Sequence, residues 1–505
     1  MLFNSYEFLF VFLPITWFLW FTCCKTKKAS LTILVLTVAS FVFYSWWNPI
    51  FILLLLFSIV FNFVFGVWVS PVKKALFYVD NPKTRKLLLV IGIAVNLGLI
   101  GYFKYFNFFM ATIADAIGFT WQTAKIFLPL GISFFTFQQI AWLVDSFKGD
   151  TPEMAADRGV WNQLNKYALF VAFFPQLIAG PIVNHKELIP QLQNQQTFKV
   201  NWHNVATGLA LISIGLFKKV VIADALSPLV ANGFDNNFTL TFFEAWLIAF
   251  AYTFQLYFDF SGYSDMAVGL GKMFNIDLPI NFKSPYKTTS IIDFWRCWHI
   301  TLSCWLRDYL YIPLGGNRKG ESRRYINLFM TMLLGGLWHG AAWTFVFWGF
   351  LHGLYLCINH LWRKLKIPMP KTLAWLITFA AITVAWIFFR APDIARALSI
   401  LESMLGLNGF YAADWLVNIF NGLGFSGVHA FAELKRPIIM AAYLGKNAIF
   451  IMLLFVVVLC FRNSNEIVKA RLKIPQIRYA IFYGLCFAIA IGYFFRVSEF
   501  LYFQF

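Results

Sequence analysis

The sequence predicts an all-α polytopic membrane protein, and three observations carry that expectation. Of its 505 residues, 60% are hydrophobic and only 13% are charged, against about 25% charged in soluble domains. Mean hydropathy is +0.67, and apolar stretches long enough for the roughly 20 residues of a bilayer-crossing helix recur along the chain. The basic residues stand in short clusters between those stretches, as they do in cytoplasmic loops facing anionic lipid. A net charge of +18 would suggest nucleic acid in a soluble domain, but no basic segment interleaved with aromatics exists to bind one. No nucleic-acid partner is expected; membrane lipid is.

Each element follows from the hydropathy pattern. Residues 1–24 have an apolar core but neither a basic n-region nor a small-residue cleavage site, so they read as a retained first span. Further spans are expected at about 30–47, 50–70, 87–109, 127–146, 167–183, 205–223, 240–260, 325–350, 372–389, 441–461 and 478–497. With shorter or re-entrant pieces this gives roughly 11 to 14 membrane segments. Lys25, Lys27 and Lys28 follow the first span; Lys73, Lys74, Lys83, Arg85 and Lys86 follow the third. Both clusters belong on the cytoplasmic side, which puts the N-terminus outside. No internal repeat supports an inverted-repeat transporter. The chain reads as one membrane domain over 1–505, with its largest polar insertions near 147–166, 184–204, 281–324 and 391–440.

His339 is the most informative residue. From Tyr325 to Trp362 there is no Asp, Glu, Lys or Arg, and His339 sits near the middle of that run, in Gly335-Gly336-Leu337-Trp338-His339-Gly340. An imidazole in hydrocarbon loses its hydration and must find a hydrogen-bond partner or a wet cavity, which makes a functional role the default. The plainer alternative is a histidine that ties two helices together.

A second clue is the segment 291–311. Plotted at 100° per residue, Asp293, Arg296, His299, Ser303 and Arg307 fall on one face, with Ile291, Phe294, Trp295, Trp298, Leu302, Trp305 and Tyr309 on the other. Such a helix lies in the interface or lines a cavity. Arg318, Lys319, Arg323 and Arg324 follow, so the expectation is a basic cytoplasmic mouth suited to a phosphorylated donor, with lipid head groups as the alternative ligand. Gly315, Gly316 and Gly320 follow no strand and do not form a phosphate loop.

Asp259 and Asp265, in the run from Tyr252 to Asp265, are read as structural or as a proton relay; no basic partner is evident within their own span. Pro175, Gly180 and Pro181 mark a kinked or re-entrant segment that belongs beside a cavity, because interrupted backbone cannot face lipid unsatisfied. Seven cysteines without CxxC spacing, and histidines without ligand spacing, point to packing and to no metal.

Together these segments resemble the membrane-bound O-acyltransferase superfamily, and within it the alginate O-acetyltransferase membrane-subunit branch. The resemblance covers most of the chain and is densest over 128–148, 173–183, 252–285, 293–316 and 333–349; the opening 1–10 and closing 500–505 share it. It implies a ring of tilted helices around a thinned centre, a tunnel joining the two faces, and a catalytic core at about 125–360. The superfamily's catalytic histidine maps onto His339 in Leu337-Trp338-His339-Gly340. A second polar position, usually histidine in the bacterial polysaccharide branch, maps onto His299 in Trp295-Arg296-Cys297-Trp298-His299.

The implied reaction moves an acetyl group from a cytoplasmic thioester, acetyl-CoA, towards hydroxyls of an extracytoplasmic polysaccharide, with no bound cofactor. An imidazole out of water stays neutral, so His339 would serve as general base while His299 orients the donor or polarises its carbonyl. Arg296, Ser303, Arg307 and Trp338 are the substrate-binding candidates. The resemblance also implies a periplasmic SGNH-type partner that passes acetyl to the glycan. The alternatives are D-alanyl transfer to teichoic acid, a proton-coupled polysaccharide or lipid transporter using Asp259, Asp265 and His339, and a non-catalytic scaffold for polymer export.

Overall fold

The computed structural model describes residues 1–72, 78–151, 159–178, 180–236, 238–412, 414–423, 425, 427–430, 439–471, 476–496 and 501. Lys73, Lys74 and Ala179 lie outside the described residues, as does all of 500–505 except Leu501. The described residues are 76% helical. Its sheet, among the described residues, is one parallel pair of three-residue strands, β1 (Phe410–Ala412) and β2 (Val428–Ala430).

The helices follow the apolar stretches in order: α1 (Glu7–Lys25), α2 (Ala29–Ser45), α3 (Phe51–Val69), α4 (Pro82–Ile117), α5 (Ile132–Lys148), α6 (Val160–Ala172), α7 (Phe174–Leu177), α8 (His185–Gln193), α9 (Trp202–Phe234) and α10 (Phe242–Met273). Then come α11 (Ile291–Trp295), α12 (Ile300–Leu306), α13 (Glu321–His339), α14 (Trp343–Leu365), α15 (Lys371–Arg390), α16 (Ile394–Met404), α17 (Asp414–Gly422), α18 (Ile439–Cys460), α19 (Ser464–Arg471) and α20 (Ile477–Gly492). Among the described residues, five helices are long and apolar enough to cross a membrane, and Gly445–Cys460 of α18 with α19 makes a sixth if that pair, bent by 58°, is one span. Others, such as α2 and α20, are apolar but shorter. The result is an all-α membrane fold with broken and shortened helices around a buried centre.

Two helix pairs frame that centre. Helices α9 and α10 pack antiparallel with backbones in near contact at two levels. A Cβ on Gly215 would lie 2.6 Å from the Gly262 carbonyl oxygen, and one on Gly269 would lie 2.7 Å from that of Gly208. Small residues permit this approach, which membrane helices use where lipid supplies no hydrophobic drive for association. Helices α13 and α14 form the second pair, with Gly336 against Gly349. Aromatic rings fill the space between: Trp298, Trp348 and Trp386 are all buried, with Trp298 and Trp386 centroids 4.9 Å apart and Trp348 and Trp386 5.8 Å apart.

The proline–glycine segment is interrupted and buried in protein. Helix α6 ends at Ala172, α7 has one turn, and Phe173, Phe174, Pro175, Gly180 and Pro181 are buried in protein. The Ile182 amide that follows donates to Thr301 Oγ1 at 2.9 Å, which ties this irregular backbone to the start of α12.

Candidate active site

The run from Tyr325 to Trp362 is two helices, not one. Helix α13 ends at His339, extended residues follow, and α14 starts at Trp343. The break requires glycine: Gly340 is extended, and a Cβ there would clash with the edge of the Phe345 ring. The two helices therefore form a hairpin. Its base carries Glu321 against Lys364 at 2.6 Å and Arg324 against His360 at 2.5 Å. Its tip carries His339, about 28 Å away along a nineteen-residue helix.

At the tip, His339 is buried and edge-on to Trp348 (5.0 Å between centroids) and to Phe389 (5.2 Å). It also lines a cavity of about 110 Å³ with Trp338, Lys104, Trp47, Ser133 and Phe134. Trp338 lies against Phe137 at 5.0 Å, and Phe137 in turn stacks on Trp305 at 3.6 Å.

The structure corrects the reading of 291–311 as one amphipathic helix. Helix α11 stops after Trp295, and His299 has φ 41 and ψ 55, a left-handed conformation that a non-glycine residue adopts at a cost of about 1–3 kcal/mol. That turn rotates His299 away from the arginine face. Its side chain is fully buried, 4.7 Å from the Phe260 ring and 6.4 Å from Trp338. Asn281 holds the turn, accepting at its backbone oxygen from the Ile300 amide (3.1 Å) and at Oδ1 from the Thr301 hydroxyl (2.7 Å). His299 and His339 thus bracket Trp338, whose ring is 4.9 Å from His339. His299 is not among the residues lining the His339 cavity.

The arginine candidates lie elsewhere, at the surface. Arg296 and Arg307 have side chains 70% and 60% exposed. Arg296 donates to Asp293 at 3.0 Å, while Arg307 makes two bonds to Asp308 at 2.7 and 2.9 Å. Arg363, which the sequence reading did not single out, joins them by donating to Asp293 (3.1 Å) and to Ser290 (3.0 Å). Partial burial opposes the charge on Asp293, but Ser290, Arg363 and Arg296 outweigh it and hold the carboxyl below its ordinary range. Ser303 is half-buried with its hydroxyl 3.4 Å from the Trp298 oxygen. Asp293, Arg296 and Arg363 thus form one surface cluster, Arg307 and Asp308 a separate surface pair, and the two histidines a buried pair near the hairpin tip.

Other polar groups were invisible to sequence pattern. His352, fully buried on α14, accepts at Nδ1 from Trp295 Nε1 at 3.3 Å and packs 4.7 Å from Trp348, so one indole separates it from His339. His185 meets Asp145 at 3.1 Å, and Asp145 also accepts from Tyr309 at 2.6 Å. Asp259 and Asp265 do have basic partners, on the neighbouring helix: Lys219 at 2.7 Å and Lys218 at 2.8 Å. Adjacent lysines in the apolar stretch 205–223 were the available signal.

Comparison with known proteins places this arrangement. Residues 153–392, which include both histidines and the whole hairpin, match the model of the MBOAT, membrane-bound O-acyltransferase family. The chain is 41% identical to the peptidoglycan O-acetyltransferase of Helicobacter pylori (strain ATCC 700392 / 26695), over 100% of this chain and 98% of the relative. It is 40% identical to the probable alginate O-acetylase of Pseudomonas aeruginosa, over 88% of this chain and 81% of the relative. A teichoic acid D-alanyltransferase of Bacillus subtilis (strain 168) is 28% identical over 52% of this chain and 68% of the relative. The chain belongs to the membrane-bound O-acyltransferase family and is an O-acyltransferase of its alginate O-acetylase-like branch.

Proposed function

We propose that this enzyme moves an acetyl group from acetyl-CoA, bound on the cytoplasmic side, to a hydroxyl on the outer side of the cytoplasmic membrane, with His339 as general base. The observation that carries the reading is His339 itself: a buried imidazole at the tip of a hairpin, on the wall of a cavity. In the step proposed, His339 takes the proton of the attacking hydroxyl as its oxygen bonds to the thioester carbonyl carbon. The C–S bond then breaks, and the leaving thiolate recovers the proton from the imidazolium. His299, across Trp338, orients the donor from a turn that Asn281 fixes. Trp338 forms the wall between them, and Arg296, Arg307 and Arg363 offer phosphate partners at the mouth, with Ser303 beside it.

The acceptor is a hydroxyl of a cell-envelope glycan. Peptidoglycan is favoured over alginate because the match to the peptidoglycan O-acetyltransferase runs the full length of both chains. A periplasmic SGNH-type protein serves as the relay, and the N-terminus faces the periplasm, as the lysines at 25, 27 and 28 suggest. The test is His339→Ala in cells and in proteoliposomes. Glycan O-acetylation and acetyl-CoA consumption should both vanish while the protein accumulates, since general base catalysis contributes about 10²–10⁴-fold. Normal acetylation by this variant would remove His339 from the chemistry.

A further inference from the structure

The end of α13 poses a problem that another helix solves. Because the helix stops at His339, the carbonyls of Leu337, Trp338 and His339 have no amide one turn on. In a low-dielectric interior each unmet carbonyl would cost about 1–3 kcal/mol. All three are satisfied by consecutive side chains from the π-helical turn Gly101–Tyr105 within α4. Lys104 Nζ donates to the Trp338 oxygen at 2.7 Å and to the His339 oxygen at 2.8 Å, and the Tyr105 hydroxyl donates to the Leu337 oxygen at 2.7 Å. Lys104 Nζ also stands 6.0 Å from the Trp338 ring centroid, and Lys104 lines the same cavity as His339.

A lysine at a helix C-terminus complements the negative end of the helix dipole, but the placement here is specific. The residues it grips are the candidate base and the indole that separates the two histidines. We propose that Lys104, assisted by Tyr105, is a positioning residue for acyl transfer: it fixes the last turn of α13 so that His339 faces the cavity. This rests on the reading of His339 as the base. Lys104 acts through the backbone of His339 and not on the substrate, so its loss should leave donor binding intact and impair turnover.

The experiment is acetyl-CoA turnover by the full chain in proteoliposomes, with its acceptor system, for Lys104→Met, Lys104→Arg, Tyr105→Phe and His339→Ala. Methionine keeps the stem and removes every donor. Misplacing a catalytic group by about 1 Å costs on the order of 10²-fold. Lys104→Met should therefore lower kcat about 10–100-fold with the KM for acetyl-CoA within about twofold, and Lys104→Arg should recover most of the loss. Tyr105→Phe, which removes one bond, should lower kcat about fivefold. Lys104→Met with wild-type kcat overturns the proposal, and so does an equal loss in Lys104→Arg and Lys104→Met. If Lys104→Met does not accumulate, Tyr105→Phe decides: reduced kcat supports the proposal and unchanged kcat overturns it. An active His339→Ala would instead sink the reading of the base, a separate outcome in the same assay.

Discussion

Gly335 and Gly336 are neighbours in one helix, yet alanine should have opposite effects at the two positions. A Cβ on Gly335 would meet one atom, Leu306 Cδ1 at 3.2 Å, the end of a side chain that can swing aside. A Cβ on Gly336 would meet backbone: Gly349 Cα at 2.9 Å and N at 3.0 Å, with the Phe345 carbonyl oxygen nearer still. Ordinary contact begins at 3.4 Å, so the hairpin legs must part by about 1 Å to clear the Phe345 carbonyl, three residues from His339. Overpacking of this kind costs about 1–3 kcal/mol, and displacement of the tip by up to about 1 Å costs on the order of 10²-fold in turnover. Gly335→Ala instead gains helix propensity worth up to about 1 kcal/mol. Melting temperature in detergent and kcat in proteoliposomes read both effects. Gly336→Ala should lose stability and turnover, and Gly335→Ala should keep both. If the two variants behave alike, the backbone contact between α13 and α14 does not set the position of His339.

Three further outcomes are expected. Thr301→Val should lose about 1–3 kcal/mol, read by thermal denaturation in detergent, because the Ile182 amide loses its acceptor. Arg296→Gln or Arg307→Gln should raise the KM for acetyl-CoA more than it lowers kcat, since a phosphate held throughout the reaction is bound equally in ground and transition states; a pure kcat effect would refute that assignment. Asp293, with its folded carboxyl held below the ordinary value, contributes stability that is present above the unfolded value near 3.9 and is lost as pH falls through the lower folded value. Asp293→Asn should mimic the acid limb at neutral pH, with a loss under about 1 kcal/mol because the cluster is partly exposed.

What could be read from the sequence was whatever apolarity alone determines. The spans, the isolation of His339 in its run, and the kink at Pro175 to Pro181 follow from hydropathy and from missing backbone donors. The hairpin break did not follow, because Gly340 looks like any glycine until the Phe345 ring edge is seen to crowd its Cβ position. The 100° plot put His299 beside Arg296 because it assumes one helix, and a single left-handed residue redirects the side chain with no compositional signature. Lys104 was one cation in an apolar stretch; its acceptors lie 234 and 235 positions away, beyond any local pattern. The partners of Asp259 and Asp265 are hidden for a similar reason: the lysines stand on α9, not on the helix that carries the carboxylates.

Those lysines bear on how the chain enters the bilayer during synthesis. Lys218 and Lys219 fall at the midpoint of α9, a 33-residue helix. Lys219 also meets Asp224 within α9 at 2.7 Å, so Lys218 is the lysine whose carboxylate partner lies only on α10, and inserting it unpaired costs about 2.5–3.5 kcal/mol on the translocon scale. Their carboxylate partners on α10 emerge from the ribosome some forty residues later. Helix α9 alone is thus a poor substrate for lateral release into lipid, whereas α9 and α10 together, closed along Gly208, Gly215, Gly262 and Gly269, present neutralised charges and an apolar exterior. The unit of insertion here is the helical pair, so a ribosome stalled between the two helices should leave α9 accessible to aqueous labelling until α10 arrives.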